Sequence, residues 1–440
     1  MKLSGWGRFP CVETRLAAPR DDAELIAIVR AGSSIARGNG RAYGDSAVNP
    51  ATTIHTRHFN RMLAFDRDAG RITVEAGVML ADVIKACLPH GWFPPVTPGT
   101  KFVTIGGMVA ADVHGKNHHR HGSFRSFVDW IDLVCEDGTV RRCAPDENSE
   151  LFDWTIGGMG LTGIILRVAF RLRAVETGWI RQRTVVASGI DAAIDHFEAS
   201  RDSTYAVAWI DCLTRGDGLG RSLITLGEHA GRDELGAGMP AIPDLSDIHR
   251  QKTLGFDFPN WALNSLSVRA FNGLYFRKGK GKPDHRLVGW NSYFYPLDSI
   301  LGWNRIYGRR GFAQYQCAIP LDQARDGLRA LLDCISASGT ASFLAVLKRL
   351  GPQTGNFSFP LEGYTLALDF PVSRRSLDLM DRLDDITARH DGRINLAKDS
   401  RMSAEMLART DDRAGLFGAY RKARGSDTSF ASSQSTRLRI

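Results

Sequence analysis

Hydrophobic residues in the first 175 positions switch repeatedly between helical spacing and strict alternation, which is typical of short helices and strands. The predicted elements are helix 21–31, strand 34–36, hairpin strands 62–65 and 72–75, helix 78–88, and hairpin strands 130–135 and 139–143. Apolar residues then alternate at positions 164, 166, 168, 170 and 172. This alternation predicts a strand with one buried face that closes a first domain near Glu176.

Beyond residue 176 the spacing predicts an antiparallel sheet covered by helices, an α+β arrangement. The predicted elements are helix 191–200, strand 205–211, a strand from 313, helix 321–336, strands 342–350 and 364–372, helix 376–390 and strand 393–397. Three stretches lack such spacing. Pro240–Leu274 is the least regular, Arg277–Pro283 is predicted to be a basic loop, and the Ser/Thr-rich tail Gly425–Ile440 is expected to fray.

Length and composition narrow the classes of protein. A chain of 440 residues predicts two domains, and 43% hydrophobic with 24% charged residues is typical of a soluble globular protein. No apolar run is long enough for a transmembrane helix, and residues 1–15 lack the apolar core of a signal peptide. The seven cysteines form no CxxC pair, so we expect reduced thiols in the cytoplasm without a disulfide framework or zinc site.

The net charge of +8 suits an anionic partner such as a phosphate or a membrane surface. Nucleic-acid binding is not expected, because the aromatic residues do not interleave with the basic ones in a recognisable module.

Three glycine-rich segments lie in the first 165 residues: Arg37–Asp45, Gly106-Gly107 and Gly157–Gly160. A backbone without Cβ atoms can approach a large flat or anionic ligand closely, so the segments predict an extended cofactor. The first segment is spaced G-x-G-x-x-x-G, and the SAVNP that follows cannot open a long helix. This spacing argues against a Rossmann nucleotide site.

Between the second and third glycine segments, HGKNHH and His121 place four histidines within eight residues. His114 and His118 have the spacing of metal ligands on a helix, but Gly115, Gly122 and the lack of a carboxylate partner argue against a helix and a metal there. Two interpretations remain open. The histidines form a buried hydrogen-bonded cluster, or they wall a redox-active ring and orient a substrate hydroxyl.

Several motifs together resemble the decaprenylphosphoryl-β-D-ribose 2-oxidase family, FAD enzymes of the vanillyl-alcohol oxidase superfamily. They are the first glycine loop, PGT…TIGG…HGKNHH, GGMGLTGI, YPLD…WNRIYGRRGFAQYQ, SFLAVLKRLGP, GYTLALDFP and AKDSR. The resemblance implies an α+β, two-domain PCMH-type FAD-binding fold. Its parts would be an FAD-binding domain over 1–176, a substrate domain over 177–392, and a segment over 393–440 that returns to the FAD-binding domain.

The same resemblance implies which residues hold FAD. They are Ala36, Arg37, Gly38, Asn39, Gly40, Arg41, Ala42, Tyr43, Gly44, Asp45, Ser46, Gly99, Thr104, Ile105, Gly106, Gly107, Ala111, Asp112, Val113, His114, Ile164 and Asn395. Many members of the superfamily tether FAD through a histidine in the first loop. Arg41 and Ala42 occupy that neighbourhood here, so we expect non-covalent FAD.

Lys398 of AKDSR is the first candidate for catalysis, since an ammonium beside the flavin would stabilise the anionic reduced ring and fix the substrate hydroxyl. The further candidates are Gln314, Gln316, Lys348, His114 and Lys116. Gln314 and Gln316 are two apart on one strand and therefore point to one face. The general base stays open between His114, Lys116 and a solvent path. Ala367 stands where the mycobacterial members carry a cysteine.

The implied reaction is oxidation of the 2-hydroxyl of a polyprenylphosphoryl ribofuranose, with hydride passing to FAD. A partner NAD(P)-dependent reductase would then yield the arabinose epimer. We expect a cytoplasmic enzyme bound peripherally to the inner face of the plasma membrane, because apolar Phe256–Leu274 precedes the basic residues 277–282. The alternatives are a soluble oxidase of free polyols and a non-catalytic flavin-binding subunit.

Overall fold

The protein is described by a computed structural model that covers residues 1–243, 252–259, 264–281 and 285–440. The elements up to residue 174 are β1 (Lys2–Ser4), β2 (Cys11–Glu13), β3 (Arg15–Ala17), α1 (Asp22–Arg30), β4 (Ser34–Arg37), β5 (Thr52–His55), β6 (Met62–Asp66), β7 (Arg71–Glu75), α2 (Leu80–Cys87), β8 (Trp92–Phe93), α3 (Ile105–Ala110), α4 (His118–His121), β9 (Val128–Val134), β10 (Val140–Cys143), α5 (Ser149–Thr155), β11 (Ile164–Arg171) and β12 (Arg173–Ala174). The two predicted helices and both predicted hairpins are confirmed.

This part of the chain is built on two sheets. A parallel three-stranded sheet has the order β3-β5-β4, and an antiparallel five-stranded sheet has the order β10-β9-β11-β7-β6. The prediction that β11 buries a single face is wrong. Bulges shift its register, so Ile164 and Leu166 pack toward α1 while Val168 and Phe170 pack into the other core.

The middle of the chain forms β13 (Trp179–Ala187), α6 (Ile190–Ala199), β14 (Tyr205–Ile210), β15 (Ser222–His229), β16 (Lys252–Thr253), α7 (Ser265–Lys280), β17 (His285–Gly289), α8 (Trp290–Phe294), β18 (Ile300–Leu301), β19 (Phe312–Pro320), α9 (Ala324–Ser338), β20 (Ala345–Leu350), β21 (Gly363–Pro371) and α10 (Arg374–Arg389). The predicted helices and strands are confirmed, although β20 begins three residues later than expected and the strand predicted over 393–397 ends at Ile394.

An antiparallel eight-stranded sheet, β17-β13-β15-β14-β20-β21-β19-β22, organises this region, with β22 (Arg393–Ile394) at its edge. Helices α6, α9 and α10 cover one face through a shared hydrophobic core. Because side chains alternate along a strand, the residues between the core positions project from the opposite face. The fold is therefore α+β, as the sequence predicts.

The last helices are α11 (Ala404–Thr410), α12 (Arg413–Arg424), α13 (Ser426–Ser429) and α14 (Ser433–Leu438). Helices α11, α12 and α14 share a core with Ile35 and Leu161 of the N-terminal part. The expectation of a fraying tail is wrong, because Arg421 is 1% exposed and donates hydrogen bonds to the carbonyls of Leu161, Phe430 and Ile440. These bonds hold the tail against the body of the protein.

A second expectation is wrong between residues 265 and 280, where the sequence indicates irregular chain followed by a basic loop. The helix α7 runs through this stretch, capped by Asn264, and it packs on the sheet through Val268, Asn272 and Phe276. Its basic residues therefore occupy the last helical turn, and Lys282 lies outside the described residues. The helix leaves Leu266 and Leu274 exposed, at 76% and 69% of their surface.

Candidate active site

The loop after β4 presents a row of unpaired main-chain donors. Within the described chain, the backbone N–H groups of five consecutive residues, Gly38 to Ala42, have no hydrogen-bond partner. Gly40 has a φ of 63°, and a Cβ added to Gly38 would collide with the Thr104 side chain. Successive free amides around a glycine turn form a concave site for an anion. We refer to residues 38–42 as the cradle.

Two arginines, one just before the cradle and one within it, carry buried nitrogens without partners in the described structure. They are Nη1 of Arg37 and Nε of Arg41. Arg37 is anchored through Nη2 to the Ser4 carbonyl at 2.7 Å, and the Arg41 guanidinium stacks on Trp6 at 3.9 Å. Buried guanidinium donors and free amides together fit the diphosphate of FAD, so the residues present are suited to that cofactor.

The C-terminal helix α14 clamps the cradle's loop to the AKDSR turn. Arg437 bridges Asp45 at 2.8 Å and Asp399 at 2.9 Å. The Tyr43 amide also donates to the Ala397 carbonyl at 3.1 Å. Lys398 lies in this turn, between Ala397 and Asp399. Its position beside the cradle is therefore set by a contact between distant ends of the chain.

Strand alternation gathers four polar side chains on the sheet face opposite the helices. Gln314 and Gln316 lie on β19, Lys348 on β20 and Asp369 on β21. The glutamines and Asp369 each lie between two residues of the helical core, and Lys348 follows the core residue Leu347. Gln314 and Gln316 are 6% and 3% exposed. The sequence prediction that the two glutamines share one face is confirmed, and the same alternation places Lys348 beside them.

Lys398 meets this face from the AKDSR turn. Its Nζ lies 3.9 Å from the centroid of the Tyr43 ring, a cation–π contact. Burial lowers the pKa of Lys398 to about 7, while Asp369 acts to raise it and Lys348 to lower it. Lys398 is thus influenced by one carboxylate, Asp369, and one other cation, Lys348.

His114 is tied to the sheet through Gln316. The Gln316 amide nitrogen donates to His114 Nε2 at 3.1 Å and to the Thr365 hydroxyl at 3.0 Å. Asn395 donates to the Gln316 oxygen at 3.0 Å. Since both amide hydrogens of Gln316 are used within the protein, Gln316 positions His114 and Asn395, and it has no hydrogen left to offer a sugar.

Three lysines, Lys116, Lys348 and Lys398, give the site positive charge. We refer to these lysines together with His114, Gln314, Gln316 and Asp369 as the pocket. Burial lowers the pKa of Lys116 to about 7 and that of Lys348 to about 8, and Lys348 lowers the pKa of Lys116 further. Lys116 Nζ donates to the Phe294 carbonyl at 3.0 Å, whereas Lys348 has no partner among the described residues. Burial and nearby Lys348 also hold the pKa of His114 well below its usual range. The pocket therefore favours anionic ligands.

The remaining histidines of HGKNHH support the structural interpretation. His118 is 1% exposed, accepts from the Gly351 amide at 3.1 Å and contacts Gln353 at 2.9 Å. His119 meets the Ser203 carbonyl at 2.8 Å. The sequence indicates no helix here, but α4 forms one turn that begins at His118. No group of three or more potential metal ligands occurs among the described residues.

Several predicted FAD contacts have no accessible side chain. Ile105, Asp112 and Ile164 are each 0% exposed. Asp112 accepts hydrogen bonds from Ser123, Arg125, Gln353 and Ser358, and Thr104 caps α3. The first amides of α3 are also used internally. In this region a cofactor would meet backbone surface, as at Gly99, where a Cβ would meet nothing within 4 Å.

Two polar residues at the site, Asp369 and Arg437, are not among those predicted from the sequence. Asp369 lies among apolar positions of GYTLALDFP, although its alternation with Leu368 and Phe370 already places it on the face of the glutamines. Arg437 lies in the tail and carries no local signal, because both of its carboxylate partners are distant in sequence.

Comparison with known proteins agrees with this geometry. A family model described as an FAD binding domain matches residues 14–144, which include the cradle and the HGKNHH segment. The cradle and the pocket, together with these matches, identify the protein as an FAD-dependent oxidoreductase that acts on CH–OH groups. The decaprenylphosphoryl-β-D-ribose oxidase of Mycolicibacterium smegmatis is 36% identical over 100% of this chain and 97% of its own length. The chain belongs to that oxidase family.

More distant relatives share only part of the chain. The L-gulonolactone oxidase of Bos taurus is 27% identical over 45% of this chain and 46% of that protein. Cytokinin dehydrogenase 5 of Arabidopsis thaliana is 35% identical over 25% of this chain and 21% of its own length. Full-length similarity is thus shown to a relative named for a lipid-linked ribose.

Proposed function

We propose that this enzyme oxidises the 2-hydroxyl of a polyprenylphosphoryl-β-D-ribofuranose to the 2-keto sugar. The relative that matches the whole chain is named for decaprenylphosphoryl-β-D-ribose. One observation carries the proposal: Lys398, Gln314 and Lys348 converge on one pocket although they come from separate segments. Such a pocket offers charge and hydrogen bonds to a sugar phosphate.

When bound, FAD supplies the acceptor for the hydride that leaves the sugar carbon. Within the pocket, Lys398 provides positive charge where negative charge develops, and Gln314 offers its amide oxygen to a hydroxyl. Lys348 has no partner in the described chain and is available to the substrate. These residues orient the sugar so that a single hydroxyl faces the reacting position.

The pKa values of His114 and Lys116 favour one of them as the group that accepts the hydroxyl proton. His114 is the weaker candidate, because its pKa lies well below its usual range and its Nε2 already accepts from Gln316. Lys116 has a pKa of about 7, in the range that suits general-base catalysis near neutral pH. We therefore propose Lys116, rather than His114 or a solvent path, as the base. A Lys116→Met variant that keeps the wild-type pH profile of flavin reduction would refute this assignment.

Anaerobic titration tests the reaction itself. The yellow holoenzyme is mixed with a lipid-linked ribose, and the flavin absorbance is followed without oxygen. Stoichiometric bleaching with formation of a keto sugar is expected. Bleaching only by free polyols would show a soluble alditol oxidase instead, and no bleaching by any sugar would show a non-catalytic flavoprotein.

We propose that FAD is held without a covalent bond. The loop from Ala36 to Ser46 contains no histidine or cysteine, and Arg41 is stacked on Trp6 where a tether would be expected. Acid precipitation should therefore leave all the flavin in the supernatant. Flavin that stays with the precipitated protein would contradict this proposal.

The enzyme is further proposed to work in the cytoplasm on the inner membrane surface. No helix of the described ranges is long and apolar enough to cross a bilayer. Helix α7 exposes Leu266 in its first turn and Leu274 one turn before Arg277 and Lys278. Apolar and basic residues on one exposed helix suit reversible binding to an anionic membrane, at about 1 kcal/mol for each cation.

Vesicle sedimentation at low and high salt tests this binding, with vesicles that contain anionic lipid. Wild type should bind at low salt, and an Arg277→Glu, Lys278→Glu variant should bind much less. The matched control reverses two exposed cations of the FAD-binding part, Arg67 and Lys85, and should bind normally. Equal binding by both variants, or none by wild type, would refute the proposal.

A keto sugar must be reduced again to give the arabinose epimer, so we propose an NAD(P)-dependent reductase as partner. Adding such a reductase and its nicotinamide cofactor to the oxidised product should yield the arabino lipid. Recovery of the ribo epimer alone would contradict this step.

A further inference from the structure

Asp369 differs from most buried aspartates of this protein in having no ion pair. Asp211 lies 2.8 Å from Arg221, Asp384 lies 2.7 Å from Arg401, and Asp399 lies 2.9 Å from Arg437. Asp369 is 0% exposed, and no cation of the described chain comes within salt-bridge distance of it. Burying a carboxylate without a partner is costly, so its presence needs an explanation.

Two neutral groups hold the Asp369 carboxylate. Gln314 donates to one oxygen through its amide nitrogen, and the Tyr307 hydroxyl lies 3.4 Å from the other. The Asp369 amide donates to the Ser342 hydroxyl at 3.0 Å, which fixes the backbone. Burial raises the pKa of Asp369 to about 7, while the hydrogen bonds from Gln314 and Tyr307 and the nearby Lys398 act to lower it.

The charge of Asp369 acts on Lys398. Within the described structure, Lys398 is faced by Tyr43 from the cradle's loop, Lys348 from β20 and His114 from the loop after α3. None of these groups supplies a full negative charge to offset the lysine. Asp369 is faced in turn by Tyr43, Tyr307 and Lys398. It is thus the carboxylate that opposes the loss of charge on Lys398.

The hydrogen bond to Gln314 has a second effect. Because the nitrogen end of the Gln314 amide donates to Asp369, the oxygen end is turned away from that carboxylate. The oxygen is then presented as an acceptor for a hydroxyl. One buried carboxylate therefore sets both the charge of the lysine and the orientation of the glutamine.

We propose that Asp369 is a positioning residue of this active site, which keeps the Lys398 ammonium charged and turns the Gln314 oxygen toward the substrate. The proposal deepens the proposed function, on which its role in oxidation rests. The charge effect is a property of the protein alone and can be measured without any substrate.

Competitive acylation by acetic anhydride measures the charge directly. The holoenzyme is labelled at a series of pH values, and mass spectrometry of the digest reports modification of each lysine. In Asp369→Asn the midpoint of Lys398 labelling should fall by about one pH unit, since an opposite charge is lost. Lys116 in the same digest should keep its midpoint, because burial and Lys348 set its pKa.

Two further variants make the result specific. Ser342→Ala removes the bond to the Asp369 backbone and leaves the carboxylate, so its Lys398 midpoint should equal that of wild type. Tyr307→Phe removes a donor to the carboxylate, which raises the pKa of Asp369 and weakens its charge. The Lys398 midpoint should then move down, though less than in Asp369→Asn. If Asp369→Asn does not fold, Tyr307→Phe decides the question.

Activity supplies an independent readout. The alkaline limb of the pH profile for anaerobic flavin reduction should move to lower pH with the labelling midpoint. An unchanged Lys398 midpoint in Asp369→Asn, with only a lower melting temperature, would show that Asp369 merely stabilises the sheet and would overturn the proposal. A labelling shift in an enzyme that no lipid-linked sugar bleaches would keep the inference about charge and reject the proposed function.

Discussion

Replacing Lys398 by methionine tests the centre of the proposed chemistry. Methionine keeps most of the side-chain length and removes the charge beside Tyr43. Loss of one preorganised electrostatic contact lowers a rate by roughly 10²-fold, or about 2.7 kcal/mol. We therefore expect a large loss in the rate of flavin reduction wherever Lys398 is charged.

The pKa of Lys398, about 7, makes the size of this loss depend on pH in a defined direction. A lysine is charged below its pKa, so the wild type has its full advantage in acid and loses it in alkali. If only the ammonium accelerates reduction, wild type should exceed the variant by roughly 10²-fold at acidic pH, and this ratio should fall toward one as the pH rises above the pKa of Lys398.

Anaerobic stopped-flow absorbance with a short-chain lipid-linked ribose measures these ratios, and Lys85→Met, on the exposed surface of α2, is the matched control. Folding should survive, because burial disfavours charged Lys398 at every pH below its unfolded pKa. The methionine variant should melt at the same temperature as wild type or higher. A ratio that grows with pH would show that the neutral amine is the working form and would refute the reasoning.

Three further outcomes are expected. Arg437→Met should weaken FAD binding about tenfold in equilibrium dialysis, because it breaks the ion pairs of Arg437 with two buried carboxylates. Arg439→Met, at the exposed surface, should leave the Kd unchanged, and equal Kd values for both variants would show that the clamp does not contribute to FAD binding. Gly38→Ala should abolish flavin retention, because its Cβ would meet a side chain, while Gly415→Ala, with nothing within 4 Å, should retain flavin; a yellow Gly38→Ala protein would contradict the cradle. Covalent inhibitors that require a cysteine at the position of Ala367 should give no stoichiometric labelling in mass spectra. Labelling in the pocket would show that Ala367 does not occupy the position of that cysteine.

Local spacing was enough to predict the sheet face of the site. Gln314 and Gln316 share a face because a strand has a period of two, and the same rule extends to Lys348 and Asp369. Spacing could not predict which strands are neighbours, and only the register of β19, β20 and β21 brings these side chains together.

Helix α7 and the tail were mispredicted because tertiary contacts in both outweigh what the local composition favours. Gly273 and Gly279 lower the helix propensity of α7, but tertiary packing compensates, with Gly279 lying close against Leu223. The tail is rich in serine and threonine, which usually suggests fraying. Its serines cap helices instead, as Ser432 does for α14, and Arg421 supplies long-range hydrogen bonds that local sequence cannot reveal.

The clamp made by Arg437 has a consequence for how the enzyme folds during its synthesis on the ribosome. The cradle begins at Gly38, whereas the residues that lock it against the AKDSR turn are translated almost 400 positions later. An emerging chain can build the N-terminal sheets but cannot close the site around Lys398. Stable loading with flavin should therefore be post-translational, and chains stalled before α14 should accumulate as colourless apoprotein.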